Sequence, residues 1–165
     1  MIYLSSESRE ISFELQRTLE AVDGYLQLGM PDEAHRELNE AKISDQFETA
    51  TLRARIRILL HLKRWKDAEA LSEKGISLHP EENEFMVQRA FALHQLQRGD
   101  EAAGVLLAAP TWIRQTGILH YNLACYEAKL GDIALARQCL QAALELNSGF
   151  KTSFRTDPDL RTLWS

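Results

Sequence analysis

Four heptapeptides recur on one ruler: LGMPDEA (Leu28 to Ala34), LKRWKDA (Leu62 to Ala68), LQRGDEA (Leu96 to Ala102) and LGDIALA (Leu130 to Ala136). Each begins with Leu and ends with Ala, and each starts 34 residues after the one before. Taking each residue at roughly one position in ten, three further agreements in both columns arise by chance about once in a million. Neighbouring columns repeat as well. Val22, Ile56, Ala90 and Ala124 are all apolar, Leu38, Ser72, Leu106 and Leu140 hold one further column, and Ala41, Gly75, Ala109 and Ala143 are all small. A fixed period with large and small apolar columns is what a helical repeat requires.

Each period reads as a helix of about fourteen residues, a short turn and a second helix. In the last one, Leu119, Leu123 and Tyr126 have helical spacing before Gly131-Asp132 interrupts, and Asp132 is placed to cap the next helix. Pro31 suits a first helical turn, followed by acids that complement the helix dipole, and Pro80 before Glu81-Glu82 is expected to start a helix in the same way. No segment alternates with period two, so no sheet is expected. The Ala column marks where two antiparallel helices approach closely, and a large residue there costs about 1–3 kcal/mol. The Leu column, at the end of each first helix, is expected to roof that crossing.

On these columns the chain resembles the tetratricopeptide-repeat family over roughly Leu15 to Phe150, and its last unit, HYNLACYEAKLGDIALARQCLQAALELN, is the most similar. Leu123-Ala124 resembles the family's Leu-Gly pair, and Ala136, Leu140 and Ala143 its small-large-small triad. The chain departs from the pattern at His120, Glu127 and Ser148, where Trp, Tyr and Pro are usual. It departs also at Arg55 and Arg89, which stand where Leu is usual, and at Ala21, Gly24 and Gln46 in the first unit. Ala109-Pro110 should cut the third unit's second helix short. The resemblance implies an all-α fold, a right-handed α-solenoid of about four helix-turn-helix units. The repeats are 15–48, 49–82, 83–116 and 117–150 of one domain over 1–165, with a helical cap at 1–14 and a second cap at 151–165. Phe154, Leu160, Leu163 and Trp164 are expected to fold that second cap over the last repeat, with a turn or short helix starting at Asp157-Pro158.

Length and composition agree with such an array. At 165 residues, 45% apolar and 26% charged, the chain can bury a core without disulfides or metals. A net charge of −5 argues against a nucleic-acid partner. No run approaches the roughly 20 apolar residues that cross a bilayer, and MIYLSSESRE turns polar too soon for a signal-peptide core. With only Cys125 and Cys139, read as semi-buried packing residues, a cytoplasmic location is expected. There is no phosphate loop, GxSxG or HExxH, and the five histidines (His35, His61, His79, His94 and His120) lack metal-ligand spacing. A non-enzymatic protein without cofactor or metal is expected.

Tetratricopeptide arrays bind peptides or helices of partner proteins in a groove lined by the first helix of each unit, so the resemblance implies a protein-interaction module or scaffold. By register the groove columns hold Leu19, Arg53, Val87 and Tyr121, then Asp23, Arg57, Phe91 and Cys125, beside Leu26, Leu60, His94 and Ala128, with Gln88 and Asn122 flanking. The candidate contacts are Arg53, Arg57, Leu60, Val87, Phe91, His94, Tyr121 and Asn122. From Thr51 to Lys66 there are six basic residues and no acid, whereas Glu7 to Glu48 carries eleven acids against four Arg or Lys. Arg53 and Arg57 are i, i+4 neighbours that can hold a carboxylate bidentately, which points to an acidic peptide. The competing reading pairs these charges within the chain. Leu19, Asp23 and Ala54 occupy columns where a carboxylate clamp for chaperone tails needs Lys and Asn, so that specialised role is rejected. A chaperone for secreted proteins shares the length and repeat count and stays as the alternative, and a homodimer through an open end or the outer face is compatible with a short array.

Overall fold

Ala34, Ala68, Ala102 and Ala136 are each fully buried, as are Val22, Ile56, Ala90 and Ala124 six residues before each recurring Leu. The computed structural model describes residues 13–41, 43 and 48–164. Their helices are α1 (Phe13–Gln27), α2 (Pro31–Glu40), α3 (Thr49–His61), α4 (Trp65–Leu78), α5 (Asn83–Gln95), α6 (Gly99–Leu107), α7 (Gly117–Leu130) and α8 (Ile133–Leu146). A short 3-10 turn (Ser148–Lys151) and a terminal 3-10 helix (Pro158–Leu163), the tail helix below, follow them, and no strand occurs among the described residues. The expected N-terminal cap at 1–14 and the departure at Gln46 lie outside the described residues, apart from Phe13 and Glu14 at the start of α1.

The turn after each recurring Leu shows how the period is written into the backbone. Gly29, Lys63, Gln97 and Gly131, again 34 apart, all have positive φ, at 70°, 57°, 62° and 93°. A left-handed residue there ends the helix and lets later amides reach back. Met30 N–H donates to the Tyr25 carbonyl at 2.9 Å, and Arg98 N–H to that of Leu93 at 3.0 Å. Glycine takes this conformation freely, whereas Lys63 and Gln97 hold it against steric cost. The next helix begins at once. Pro31 occupies the first turn of α2, and Asp132 accepts the Leu135 N–H at 2.9 Å to cap α8.

Two expectations are corrected. Pro80 does not enter α5, which begins at Asn83, so Pro80 to Glu82 belong to the connecting turn. Only part of the Leu column is covered: Leu28 and Leu130 are 74% and 43% exposed, whereas Leu96 is half-buried and Leu62 packs against the core of the first unit. Leu130 instead lies over Gly99 at the start of α6, where an added Cβ would come within 3.2 Å of its Cδ2. At Gly75 a Cβ would stand 2.8 Å from the ring of the buried Phe85, which is why the small column tolerates nothing larger there. Helix α6 ends at Leu107, shortened ahead of Pro110.

The chain divides into two compact units, one up to Leu62 and one from Lys63. In the first, α1, α2 and α3 pack mutually around Val22, Leu26, Ala34, Leu38, Ala54 and Ile58. Arg55, standing where Leu is usual, donates from Nη1 to Asn39 Oδ1 on α2 at 3.0 Å. In the second, α5 to α8 and the tail helix share a larger core centred on Leu93, Leu106, Ile113, Leu119, Tyr126 and Leu160, and α4 packs on α5. Arg89, the counterpart of Arg55, reaches back to Glu69 at 3.3 Å and to Glu73 at 2.9 Å on α4. Both departures from the family pattern are therefore polar links from a first helix to the second helix before it.

Candidate functional site

On the first unit the groove columns place Arg53, Arg57 and Leu60 on α3, all partly buried. Arg57 Nη1 donates to Asp23 Oδ1 on α1 at 2.6 Å, so two residues assigned to one column 34 apart meet as a pair. Their side chains are 40% and 48% exposed, and a pair this wet contributes little to stability. The intramolecular reading of the basic run thus holds for Arg57. Leu26, expected beside the groove, belongs to the core of this unit.

On the second unit Val87 packs against the core, Phe91 sits edge-on to Trp65 at 6.1 Å and Asn122 is half-buried. Tyr121 and His94 are more enclosed than groove contacts should be, at 9% and 5% exposure, because the chain's own tail lies on them. Tyr121 Oη donates to Asp157 Oδ2 at 2.8 Å, and the same oxygen lies 3.9 Å from Cys125 Sγ. The Tyr121 ring stacks on Phe150 at 4.6 Å. Burial and the nearby Asp157 carboxylate push the Tyr121 hydroxyl and the Cys125 thiol well above their ordinary ranges, so both are protonated donors at neutral pH.

Asp159 completes the contact. Lys129 Nζ lies 3.0 Å from Asp159 Oδ1 and 3.1 Å from His94 Nε2, and His94 Nε2 lies 3.2 Å from Asp159 Oδ2. Burial first, and the Lys129 charge second, hold the His94 ring below its ordinary value. The neutral ring therefore accepts at Nε2 from the Lys129 ammonium, which bridges to the carboxylate. Below it His94 stacks on Tyr126 at 4.5 Å.

The tail helix that delivers these acids is set by local chemistry. Asp157 Oδ1 accepts the Asp159 N–H at 2.9 Å, and Pro158 occupies the first turn. Leu160 and Leu163, three apart, then fall on one side of the 3-10 helix and are buried against α7 and α8, with Arg137 Nη2 donating to the Leu163 carbonyl at 2.8 Å. Three residues of this site, Lys129, Asp157 and Asp159, escaped sequence reasoning. Lys129 lies one position beyond the Ala128 column, and Asp157-Pro158 signalled only a turn.

Elsewhere, His120 Nε2 pairs with the Arg114 carbonyl oxygen at 2.7 Å. Cys139, pushed up to about 11 by burial, stays a thiol at neutral pH. Among the described residues no group of three or more His, Cys, Asp or Glu could hold a metal, and no helix is long and apolar enough to cross a membrane.

No protein-family model matches the chain, and no curated protein matches it. Solved structures match in fold. The MamA RS-1 ArsTM double mutant superposes with a TM-score of 0.67 at 18% identity, covering 93% of this chain and 90% of that one. MamA 41-end from Desulfovibrio magneticus RS-1 gives 0.67 at 17% identity, covering 93% and 91%. MamA MSR-1 C2 gives 0.64 at 19% identity, covering 83% and 79%. At such identities the likeness is one of architecture, and with the 34-residue spacing of the hairpins it shows that this chain has an all-helical fold of the tetratricopeptide-repeat type.

Proposed function

We propose that the chain is a non-enzymatic protein-binding module that captures an acidic peptide of a partner protein on first-helix faces. In the second unit the receiving residues are Tyr121, Asn122 and His94, with Phe91 and Val87 giving apolar contact. In the first they are Arg53, Arg57 and Leu60. The observation that supports this reading is the seating of Asp157 on Tyr121 and of Asp159 on Lys129: this face already accommodates two carboxylates. Partly buried donors of fixed geometry suit charge-assisted hydrogen bonds, which are shorter and roughly twice as strong as neutral ones.

The test is selection of displayed peptides on the full-length chain, with Arg53→Glu/Arg57→Glu as a control of unchanged helicity. Enrichment of acidic over basic peptides, reduced by the double substitution, is the expected result. Selection of no peptide at all, or of sequences indifferent to charge, would remove the reading.

A further inference from the structure

The α5–α7 face assigned above to a partner is the face that the chain covers with its own residues 157–163. We propose that the segment Asp157–Leu163 is an intramolecular pseudo-ligand, and that the partner carries the same pattern. That pattern is two acids two residues apart, a Leu directly after the second, and another Leu three further on. This rests on the protein-binding reading and narrows it to one motif.

Three features carry the inference. The first is donor convergence. A terminal cap needs only apolar surface, yet here the Tyr121 hydroxyl and the Lys129 ammonium close on two carboxylates, at 2.8 and 3.0 Å. Tyr121 and Cys125 stand in register columns through which a tetratricopeptide groove meets its ligand, and His94 lies beside them. The second is that the motif shapes itself. The Asp157 side chain caps Asp159 N–H and Pro158 presets the turn, so an unattached peptide of this sequence is biased toward the same form before it binds. The third is weak internal support. A 3-10 helix of six residues has few hydrogen bonds of its own, so the tail stays ordered through what it touches and opens when those contacts are replaced.

A tethered segment competes at an effective concentration near millimolar, and a free peptide binds the closed chain more weakly in proportion to the fraction that is open. The probe is therefore a fluorescein-labelled synthetic peptide with the sequence of Arg155–Trp164, titrated by fluorescence anisotropy. It is added to the full-length chain and to a tail-released form carrying Asp157→Asn, Asp159→Asn and Leu160→Ser. The released form is expected to bind the peptide about ten-fold or more tighter than the parent. Adding Tyr121→Phe and Lys129→Met should weaken that binding again by about ten-fold, and a peptide with Asn at both acidic positions should bind neither form. Equal affinity in parent and released chains would show the tail to be an end cap only and overturn the proposal. Should the released form lose its helical circular dichroism, amide exchange of residues 159–163 in the parent decides. Saturating peptide should abolish their protection, and protection unchanged at millimolar peptide would overturn the proposal. If the released chain binds other acidic peptides but not this one, the motif fails while the protein-binding reading stands. If it binds no acidic peptide, that reading fails as well.

Discussion

Leu160 is the pin of the tail helix, and its removal makes a quantitative prediction. The side chain is fully buried among the residues of the α7–α8 core. Leu160→Ala deletes buried methyl groups and leaves a void, at a cost of about 2–5 kcal/mol. That cost falls on tail docking, because Leu160 belongs to the tail and its partners keep one another. The polar contacts alone cannot compensate. Asp159 and Lys129 are 26% and 45% exposed, so their pair contributes at most about 1 kcal/mol after screening. Trypsin reads the opening directly, since it cuts after Arg161 inside the tail helix only when that helix unfolds. With opening fast relative to cleavage, the rate follows the open population. A penalty of about 2 kcal/mol then raises cleavage after Arg161 by roughly thirty-fold, against little change at arginines on stable helices such as Arg89. The assay is limited proteolysis with mass-spectrometric assignment of the cut. A rise of less than about three-fold would mean that the tail is already open in the parent, and the seat described for Asp157 and Asp159 would not be its resting place.

Three further outcomes follow from the backbone and from burial. Gln97→Gly should raise stability by about 0.5–1 kcal/mol, because it relieves a left-handed residue whose cost of about 1–2 exceeds the flexibility that glycine adds to the unfolded chain. Gly131→Ala should lose about 1–2; urea midpoints by circular dichroism check both, and a destabilised Gln97→Gly would refute the assignment. Burial, reinforced by Asp132 and Asp100, holds the Glu127 carboxyl above its ordinary range. The folded state therefore keeps that proton longer than the unfolded chain does. Its contribution is complete below the unfolded value near 4.3 and is lost as pH rises through the higher folded one. Glu127→Gln should accordingly melt higher than the parent at pH 7 and nearly level with it at pH 4, and equal melting at both pH values would count against this.

The helices could be read from the chain because burial at a close crossing admits few residue types. Ala34, Ala68, Ala102 and Ala136 had to be small, and their spacing revealed itself. The left-handed column at 29, 63, 97 and 131 was half hidden, since Gly marks it twice but Lys63 and Gln97 do not. The Leu column was visible but not its orientation, because its spacing matches the end of a helix whether the side chain packs on the core, as at Leu62, or lies toward Gly99 of another hairpin, as at Leu130. The candidate site was legible as columns but not as a state. Register placed Tyr121 and His94 beside the groove, yet nothing local to them signals that Asp157 and Asp159, more than thirty residues downstream of Tyr121, lie against them. Such a contact depends on where the tail runs after α8, and Asp157-Pro158-Asp159 reads in isolation as an ordinary turn.

Arg55 reaches Asn39 and Arg89 reaches Glu73, each sixteen positions upstream. A duplication of the 34-residue module 49–82 would reproduce this stitch at its new junction, setting a second Arg55 sixteen positions after Glu73. An insertion one residue shorter or longer would leave the guanidinium opposite the wrong side chain. The two arginines thus act as a gauge on how the array can lengthen, favouring growth by whole modules over growth by fragments.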